Sequence, residues 1–404
     1  MSVRKGRRSV CVISFSPVAG DARVLRQVHY LSEHYDVTAI GQGEAHPEWR
    51  AARGVTWVPT LAVRAEGSAR RLFEKAGGLS LLLAGRLRPS SFLRWFWRQP
   101  IMRDALAKAV ASRCDAFHAN DWNALPVAAE AARRLDAKLV FDAHEYAPLE
   151  FENRALWRLA YAPVITHLLR VYAPRADASM TVASAIAERY RREFGFAPEV
   201  ILNAPDRVPL PDKAAGDSDE VRLIHHGAAI PDRRLEEMIK AVALCGPRFS
   251  LHFMLTGNDP AYVNKLKGAA AELAPGRVSF HDPVTPAEVV RRVAEYDVGF
   301  CFIAPTNYNY LVCLPNKFFD FVAAGLPVCI GPSPSMAEVV RERGFGVIAA
   351  SFDPRDLAAA LDGLNRERLS RMTRAARAAA REINAEREMG KMLEIYRRIL
   401  PWDE

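Results

Sequence analysis

The sequence predicts an α/β protein made of two doubly wound, Rossmann-like parallel sheets that face a cleft. Three observations carry this. Short strand-like runs alternate with helix-like runs from end to end of the 404 residues. The alternation breaks once, at 204–219 (APDRVPLPDKAAGDSD), where three prolines and four acids read as an interdomain linker. It then restarts over a similar length. Each element follows in order. Val10–Phe15 is the first strand. Behind it Asp21 is placed to cap a helix whose Val24, Leu25, Val28 and Leu31 repeat at helical spacing. Strands are expected at Asp36–Gly41, Ala116–His118, Lys138–Asp142, Ala178–Val182 and Val200–Leu202. After the linker they are expected at Val221–His226, Phe249–Thr256, Val278–Phe280, Val298–Ile303 and Val328–Ile330. The stretch 364–399 is helical in pattern, with Met389, Met392, Leu393 and Tyr396 on one face.

Composition narrows the class. Half of the residues are apolar and 25% charged, which excludes disorder, collagen and small disulfide scaffolds. The net charge of +8 suits an anionic ligand or surface without selecting one. The six cysteines form no C-x-x-C pair and mostly sit in apolar runs, so buried reduced thiols and a cytoplasmic protein are expected. The opening MSVRKGRRS-VCVISF imitates a signal peptide. Its apolar part ends after six residues at Ser16 and Pro17 with no small-residue cleavage site, so it reads as a strand.

Ligands of doubly wound sheets bind outside the carboxyl ends of the strands, so the loops that follow strands are the candidates. In LPNKFFDFVAAGLPVCIG (314–331), Pro315 suits a first helical position and Gly325 ends the helix. Asn316 and Lys317 then lie beside free backbone N–H groups, an anion site, and Asp320 lies one turn on, where a carboxylate could accept from a ribose diol. The bland alternative is a surface lysine and an acid that favours the helix dipole. In IHHGAAIPDRRLEEMI (224–239) a strand ends at Gly227 and a helix is expected from Asp232 or Arg233. Its arginines suit a diphosphate, or simply a solvated helix start. In VFDAHEYAP (140–148), His144 stands at a strand's end beside Asp142 and Glu145, either as a donor to a sugar or phosphate or as a satisfied structural histidine. The motif lacks a metal-binding pattern, so no metal is expected. Gly20 in the first strand-to-helix turn permits close backbone approach, yet no G-x-G-x-x-G, Walker A or G-x-S-x-G occurs. The stretch 86–103 interleaves arginines with Phe92, Trp95, Phe96 and Trp97. That suits an anionic membrane interface, or a helix that packs its aromatics inward. No nucleic-acid-binding motif accompanies it, and no nucleic-acid partner is expected.

In order and spacing, DARVLRQVHYLSEHYDVTAIG, HANDWNALPVAAEAARRLDAKLVFDAHEY, ADASMTVASAIAERY and VILNAP lead into HHGAAIPDRRLEEMIKAV, LTGNDP, YDVGFCFI, LPNKFFDFVAAGLPV and SMAEVV. Over nearly the whole chain this resembles a GT-B glycosyltransferase of retaining family 4. The resemblance implies domains at 1–205 and 218–384, the first acceptor-side and joined by a final helix, 385–404, that packs back on it; the second binds the donor. It implies a nucleotide-diphosphate-sugar co-substrate and no other cofactor. Gly20, Asp21, Gly227, Gly257, Tyr310, Leu314, Pro315, Asn316 and Asp320 would contact the donor. Asp320 stands where the family's glutamate grips the ribose. Arg233 and Lys317 would hold the diphosphate and, with His144 near the sugar, be catalytic. It implies metal-independent transfer with retention to a glycan, polymer or lipid-linked acceptor; the basic, aromatic stretch 86–103 is what suggests a cytoplasmic protein that is peripheral at the inner face of the cell membrane. The chain departs from the family where its first glutamate falls on Val312 and where an arginine is replaced by Ala228. A nucleotide-sugar epimerase using Asp142, His144 and Glu145, or a non-catalytic binding module, are the alternative readings.

Overall fold

The computed structural model describes residues 7–47, 49, 54–61, 80, 82, 84–210, 219–257 and 259–402. It divides into two compact units, Met1–Ile201 with Met389–Glu404, and Leu202–Glu388.

Among the described residues of the first unit seven parallel strands run β1 (Ser9–Pro17), β2 (Asp36–Gln42), β3 (Val55–Pro59), β4 (Ala116–Asn120), β5 (Lys138–Ala143), β6 (Ala178–Thr181) and β7 (Glu199–Val200). Their order is β3-β2-β1-β4-β5-β6-β7. Parallel strands need long crossovers, and helices such as Ala22–His34, Asp121–Leu135 and Ser184–Phe194 supply them. The central strands are covered on both faces. Val10, Cys11, Val12 and Ile13 are therefore all buried, a continuous apolar run rather than an alternating one. Asp21 caps the helix Ala22–His34 by accepting from the N–H groups of Arg23 and Val24. β7 is Glu199–Val200, where the pattern placed Val200–Leu202. The backbone N–H of Ile201 donates to Thr181 O as the strand peels away. β3 was not foreseen, because VTWVP is short, ends in proline and has no fully buried residue.

The C-terminal helix Ala385–Ile399 delivers Met389, Met392, Ile395 and Tyr396 to the core that contains Val10, Val12 and Ala116. Tyr396 OH lies 2.8 Å from His118 Nδ1, and Tyr35 OH donates to Leu400 O at 2.7 Å. The helix Ser90–Arg98 buries Phe92 and Phe96 and exposes Arg94 and Arg98, so here the inward-packing alternative describes the aromatics. Trp97 Nε1 donates to Tyr172 OH at 3.3 Å, and Trp95 packs edge-on to Tyr161.

The second unit carries β8 (Val221–Ala228), β9 (Phe249–Thr256), β10 (Val278–His281), β11 (Val298–Cys301), β12 (Val328–Ile330) and β13 (Gly346–Ile348). All pairings are parallel, in the order β10-β9-β8-β11-β12-β13. This is the 3-2-1-4-5-6 arrangement of dinucleotide-binding sheets. β13 was not expected: it is as short as β12 but opens on a glycine, a poor strand residue, where β12 is the apolar run VCI. The α-helix expected from Asp232 or Arg233 starts at Glu236 instead. Pro231–Arg233 form a 3-10 turn, and Arg234 at φ 51° leaves the right-handed region before the helix begins. Pro315 caps rather than enters its helix, which runs Asn316–Ala323 and is ended by Gly325 at φ +67°. The linker's described residues 204–210 carry no helix or strand; 211–218 lie outside the described residues. No helix among the described residues is long and apolar enough to cross a membrane.

A buried ion pair ties the first unit together. Arg23 Nε and Nη2 donate to Asp142 Oδ2 and Oδ1 at 2.6 and 2.8 Å, and Arg23 Nη1 donates to Ile201 O. Burial works to raise the Asp142 carboxyl pKa, but Arg23 and then His144 outweigh it and hold the group well below the usual carboxylate range. Asp142 is fully buried and Arg23 nearly so. Removing one partner strands a charge. Arg23→Ala is expected to cost about 3–5 kcal/mol in urea unfolding, and a loss below about 1 kcal/mol would refute this account. Because the folded pKa of Asp142 is the lower one, its contribution in the wild type is present above about pH 4 and fades as the pH falls. In Arg23→Ala that acid dependence should shrink.

Candidate active site

Both sheets place their functional candidates in the loops after strand ends, and each unit assembles its own cluster.

In the second unit the cluster begins at the end of β8. His225 and His226 are buried there, and Gly227 takes φ +106°, a conformation that disfavours side chains. A Cβ on Gly227 would also sit 3.5 Å from Lys317 Cε and 3.6 Å from Nζ, so glycine keeps room beside the ammonium. Lys317, in the first turn of Asn316–Ala323, is 5% exposed, which removes the surface-lysine alternative. Its Nζ lies 2.8 Å from His225 Nε2. Burial, and next the nearby Arg233, push its pKa down to about 7; Arg233's repulsion outweighs the attraction of Asp320.

Arg233 reaches the same place from the 3-10 turn. Its Nη1 donates to Ala228 O at 3.4 Å, its Cζ lies 5.9 Å from the Tyr310 ring centre, and its Nε is buried with no hydrogen-bond partner among the described residues. Two cations, one buried and one partly buried, therefore act on each other here, and one keeps an unused donor. Such a combination calls for an anion. Asp320 Oδ2 lies 3.3 Å from His226 Nε2, without hydrogen-bond geometry. Burial and then Lys317 lower the His226 pKa to about 3, so the ring is neutral and does not form an ion pair with Asp320.

The other donor candidates lie around these. Asn307 caps Tyr308–Val312 by accepting from Tyr310 N–H at 2.8 Å. Asn316 Oδ1 accepts from Asn203 Nδ2 at 2.6 Å, and Leu314 is buried. Gly257 follows β9, where a Cβ would come within 3.3 Å of Ala229 Cβ. Val312, at the family's first glutamate position, is a buried apolar residue.

In the first unit Gly20 ends a 3-10 turn after β1, and a Cβ there would meet nothing within 4 Å. Asp21 is committed to capping and to Ser16 Oγ, which donates at 2.7 Å. His144, just after β5, is held on two sides. Nδ1 lies 3.1 Å from Asp121 Oδ2, and Nε2 lies 3.1 Å from Asp142 Oδ2 and 3.0 Å from Asn120 Oδ1. Burial opposes its charge, but Asp121 and Asp142 outweigh burial and raise its pKa well above the histidine norm. The ring is an imidazolium with both N–H groups engaged. It offers a site its charge rather than a spare donor. Asp121 accepts the His144 backbone N–H at 3.1 Å as well, from a left-handed φ of 64°. A non-glycine residue there is strained, and the two contacts hold it. Asp142, fully buried and locked to Arg23, is not available for the elimination chemistry an epimerase would ask of it.

Sequence reasoning missed His225, His226, Asp121, Arg23 and Gln27. The histidine pair directly before Gly227 was the available signal for the first two. Arg23 and Gln27, one turn apart, carry polar groups on the buried side of a capped helix, and Gln27 Nε2 donates to Asp142 Oδ2 at 2.5 Å.

The chain matches the description Glycosyltransferase Family 4 over residues 23–207 and Glycosyl transferases group 1 over residues 220–366. No protein of curated function matches it. Among solved structures it is similar to HepE (Alr3699) of Anabaena in complex with UDP and glucose, at 15% identity and TM-score 0.67, covering 96% of this chain and 99% of that one. It is also similar to sucrose-phosphate synthase of Thermosynechococcus elongatus, at 14% identity and TM-score 0.70, covering 97% and 99%. For α,α-trehalose 6-phosphate synthase of Burkholderia multivorans the identity is 13%, the TM-score 0.65 and the coverage 97% and 99%. With a paired parallel-sheet fold, and family matches that between them run from residue 23 to residue 366, the chain belongs to the GT-B glycosyltransferases of the family 4 type.

Proposed function

We propose that the protein transfers a sugar from a nucleotide-diphosphate-sugar to a hydroxyl of a glycan, polymer or lipid-linked acceptor, with retention of configuration and without a metal. The convergence of Lys317 and Arg233 at the end of β8 is the observation that supports it. As the bond from the anomeric carbon to the diphosphate breaks, negative charge grows on the leaving β-phosphate. Cations already in place, together with the backbone N–H groups that open Asn316–Ala323, stabilise that charge without rearrangement. They do what a divalent ion would otherwise do. The acceptor oxygen attacks from the face the diphosphate leaves, its proton passes to the departing β-phosphate oxygen, and the nucleoside diphosphate is released. Asp320 would accept from the ribose diol, and His144 would contribute positive charge near the sugar. The likeness to HepE, whose structures hold UDP and UDP-glucose, supports a UDP-sugar as the donor.

A basic face on the first unit supports an acceptor at an anionic membrane. Leu87 is 89% exposed, Leu156 58% and Leu159 54%. Arg86, Arg88, Arg154 and Arg158 are exposed around them, and Arg86 Nη2 donates to Leu159 O, joining the two segments. Apolar side chains ringed by arginines fit a bilayer surface with acidic headgroups.

Lys317→Ala and Arg233→Ala should each lower kcat by about 10²–10³-fold in a donor-turnover assay, with unchanged circular dichroism. Full activity in both variants would sink the assignment. Nucleoside diphosphates should raise the melting temperature more than the monophosphates, since the diphosphate is what the cations hold. Equal shifts would remove it from the site. The wild type should sediment with vesicles containing acidic lipid, and Leu87→Ser combined with Leu156→Ser and Leu159→Ser should not; if both sediment alike, the membrane face lies elsewhere.

A further inference from the structure

The proposed function uses Lys317 but not the residue that holds it. His225 is fully buried in β8, and its Nδ1 lies 2.8 Å from Phe300 O. A carbonyl oxygen can only accept, so Nδ1 carries the ring proton. Nε2 is then a bare acceptor, and it is the atom 2.8 Å from Lys317 Nζ. The imidazole is oriented from behind by the neighbouring strand and presents a lone pair to the lysine. Carboxylates commonly fill that position for a buried lysine; a neutral ring orients the ammonium without neutralising it.

The groups that act on Lys317 come from every element packed against it. His225 and His226 face it from β8, Arg233 from the 3-10 turn, Cys301 from β11, Cys313 from the loop before its helix, and Asp320 from its own helix. Burial, then Lys317 itself, keeps both histidines neutral. Burial raises the Cys301 thiol to about 12. Lys317, which burial and then Arg233 have brought to about 7, titrates near neutral pH.

We propose that His225 is a positioning residue that aims the Lys317 ammonium at the donor diphosphate, and that a nucleotide sugar binds together with a proton taken up at Lys317. The inference rests on the donor-binding reading above. The proton comes from the buffer acid and adds to the neutral Nζ amine; no bond of the donor changes. The sign follows from the bound state. A diphosphate favours the charged lysine and raises its pKa, so uptake is small where the free lysine is already protonated and approaches one proton where it is not.

Calorimetry of the full-length protein in buffers of different ionisation enthalpy tests this. The titrants are UDP-glucose, GDP-mannose and ADP-glucose, whose diester diphosphates do not titrate near neutrality. Uptake should be about 0.1 proton at about pH 6 and close to one at about pH 8.5, with affinity falling as the pH rises between them. His225→Leu removes the acceptor, so the pH midpoint of uptake should move down and the affinity at pH 7 should weaken about tenfold. His225→Gln, whose amide oxygen can replace Nε2, should recover most of both. Binding without pH-dependent uptake overturns the proton coupling and leaves the donor site standing. An unchanged midpoint and affinity in His225→Leu overturns the role of His225. Should the leucine variant not fold, the wild-type titration still decides the coupling, and a glutamine variant that binds no better than Lys317→Ala overturns the positioning role. Failure of all three nucleotide sugars to bind overturns the donor reading together with this one.

Discussion

A parallel sheet carries all of its strands' carboxyl ends on one edge. That constraint organises both units. Because parallel neighbours cannot be joined by tight turns, each strand is followed by a loop and a crossover helix, and the loops collect along a single rim. Asn120, Asp121 and His144 meet because β4 and β5 are neighbours, with Asn120 paired in register to Asp142. His225, Gly227, Arg233 and Lys317 meet because β8 is central in its sheet, beside β11, whose Phe300 carbonyl orients His225. In the second unit a sequence separation of 92 residues, between His225 and Lys317, disappears at that edge.

The two clusters apply the same physics with opposite results. Burial disfavours charge in each, so what the neighbours carry decides the ionisation state. His144 sits between two aspartates and becomes a cation. His225 sits against a lysine and stays neutral. Among the described residues Lys317 has no carboxylate hydrogen-bonded to it, and it shares its surroundings with Arg233, so its charge is held at the edge of stability. A site in that state gains most from an anion, since the ligand relieves the repulsion between the two cations. Asp142 is the structural counterpart: its charge is matched by Arg23, and it locks the helix Ala22–His34 to the end of β5.

Much of the architecture was legible along the chain, and so were several of the residues that matter. β1, β2, β5, β8 and β9 announce themselves as strand-like runs of six to nine residues, each with several buried apolar positions. β3 and β13 do not, one being half-exposed and the other a short run that opens on a glycine. The helix after β8 was placed too early because Asp232 imitates a cap, while the left-handed turn at Arg234 is invisible in its letters. Basic side chains in strand-end loops marked Arg233 and Lys317 as candidates. Nothing local separated a surface lysine from a buried one.

What the chain determines alone, then, is pattern: periodicity, strand order of appearance, the break near residue 204, and which loops follow strands. These follow from local backbone preferences and from which side chains need burial, and both are written in neighbouring residues. Only the tertiary structure decided that Lys317 is buried, that His225 is its partner, and that His144 has spent both of its N–H groups on aspartates. Ionisation and hydrogen bonding depend on solvent exclusion and on atoms brought together from distant segments, and a linear sequence carries neither quantity.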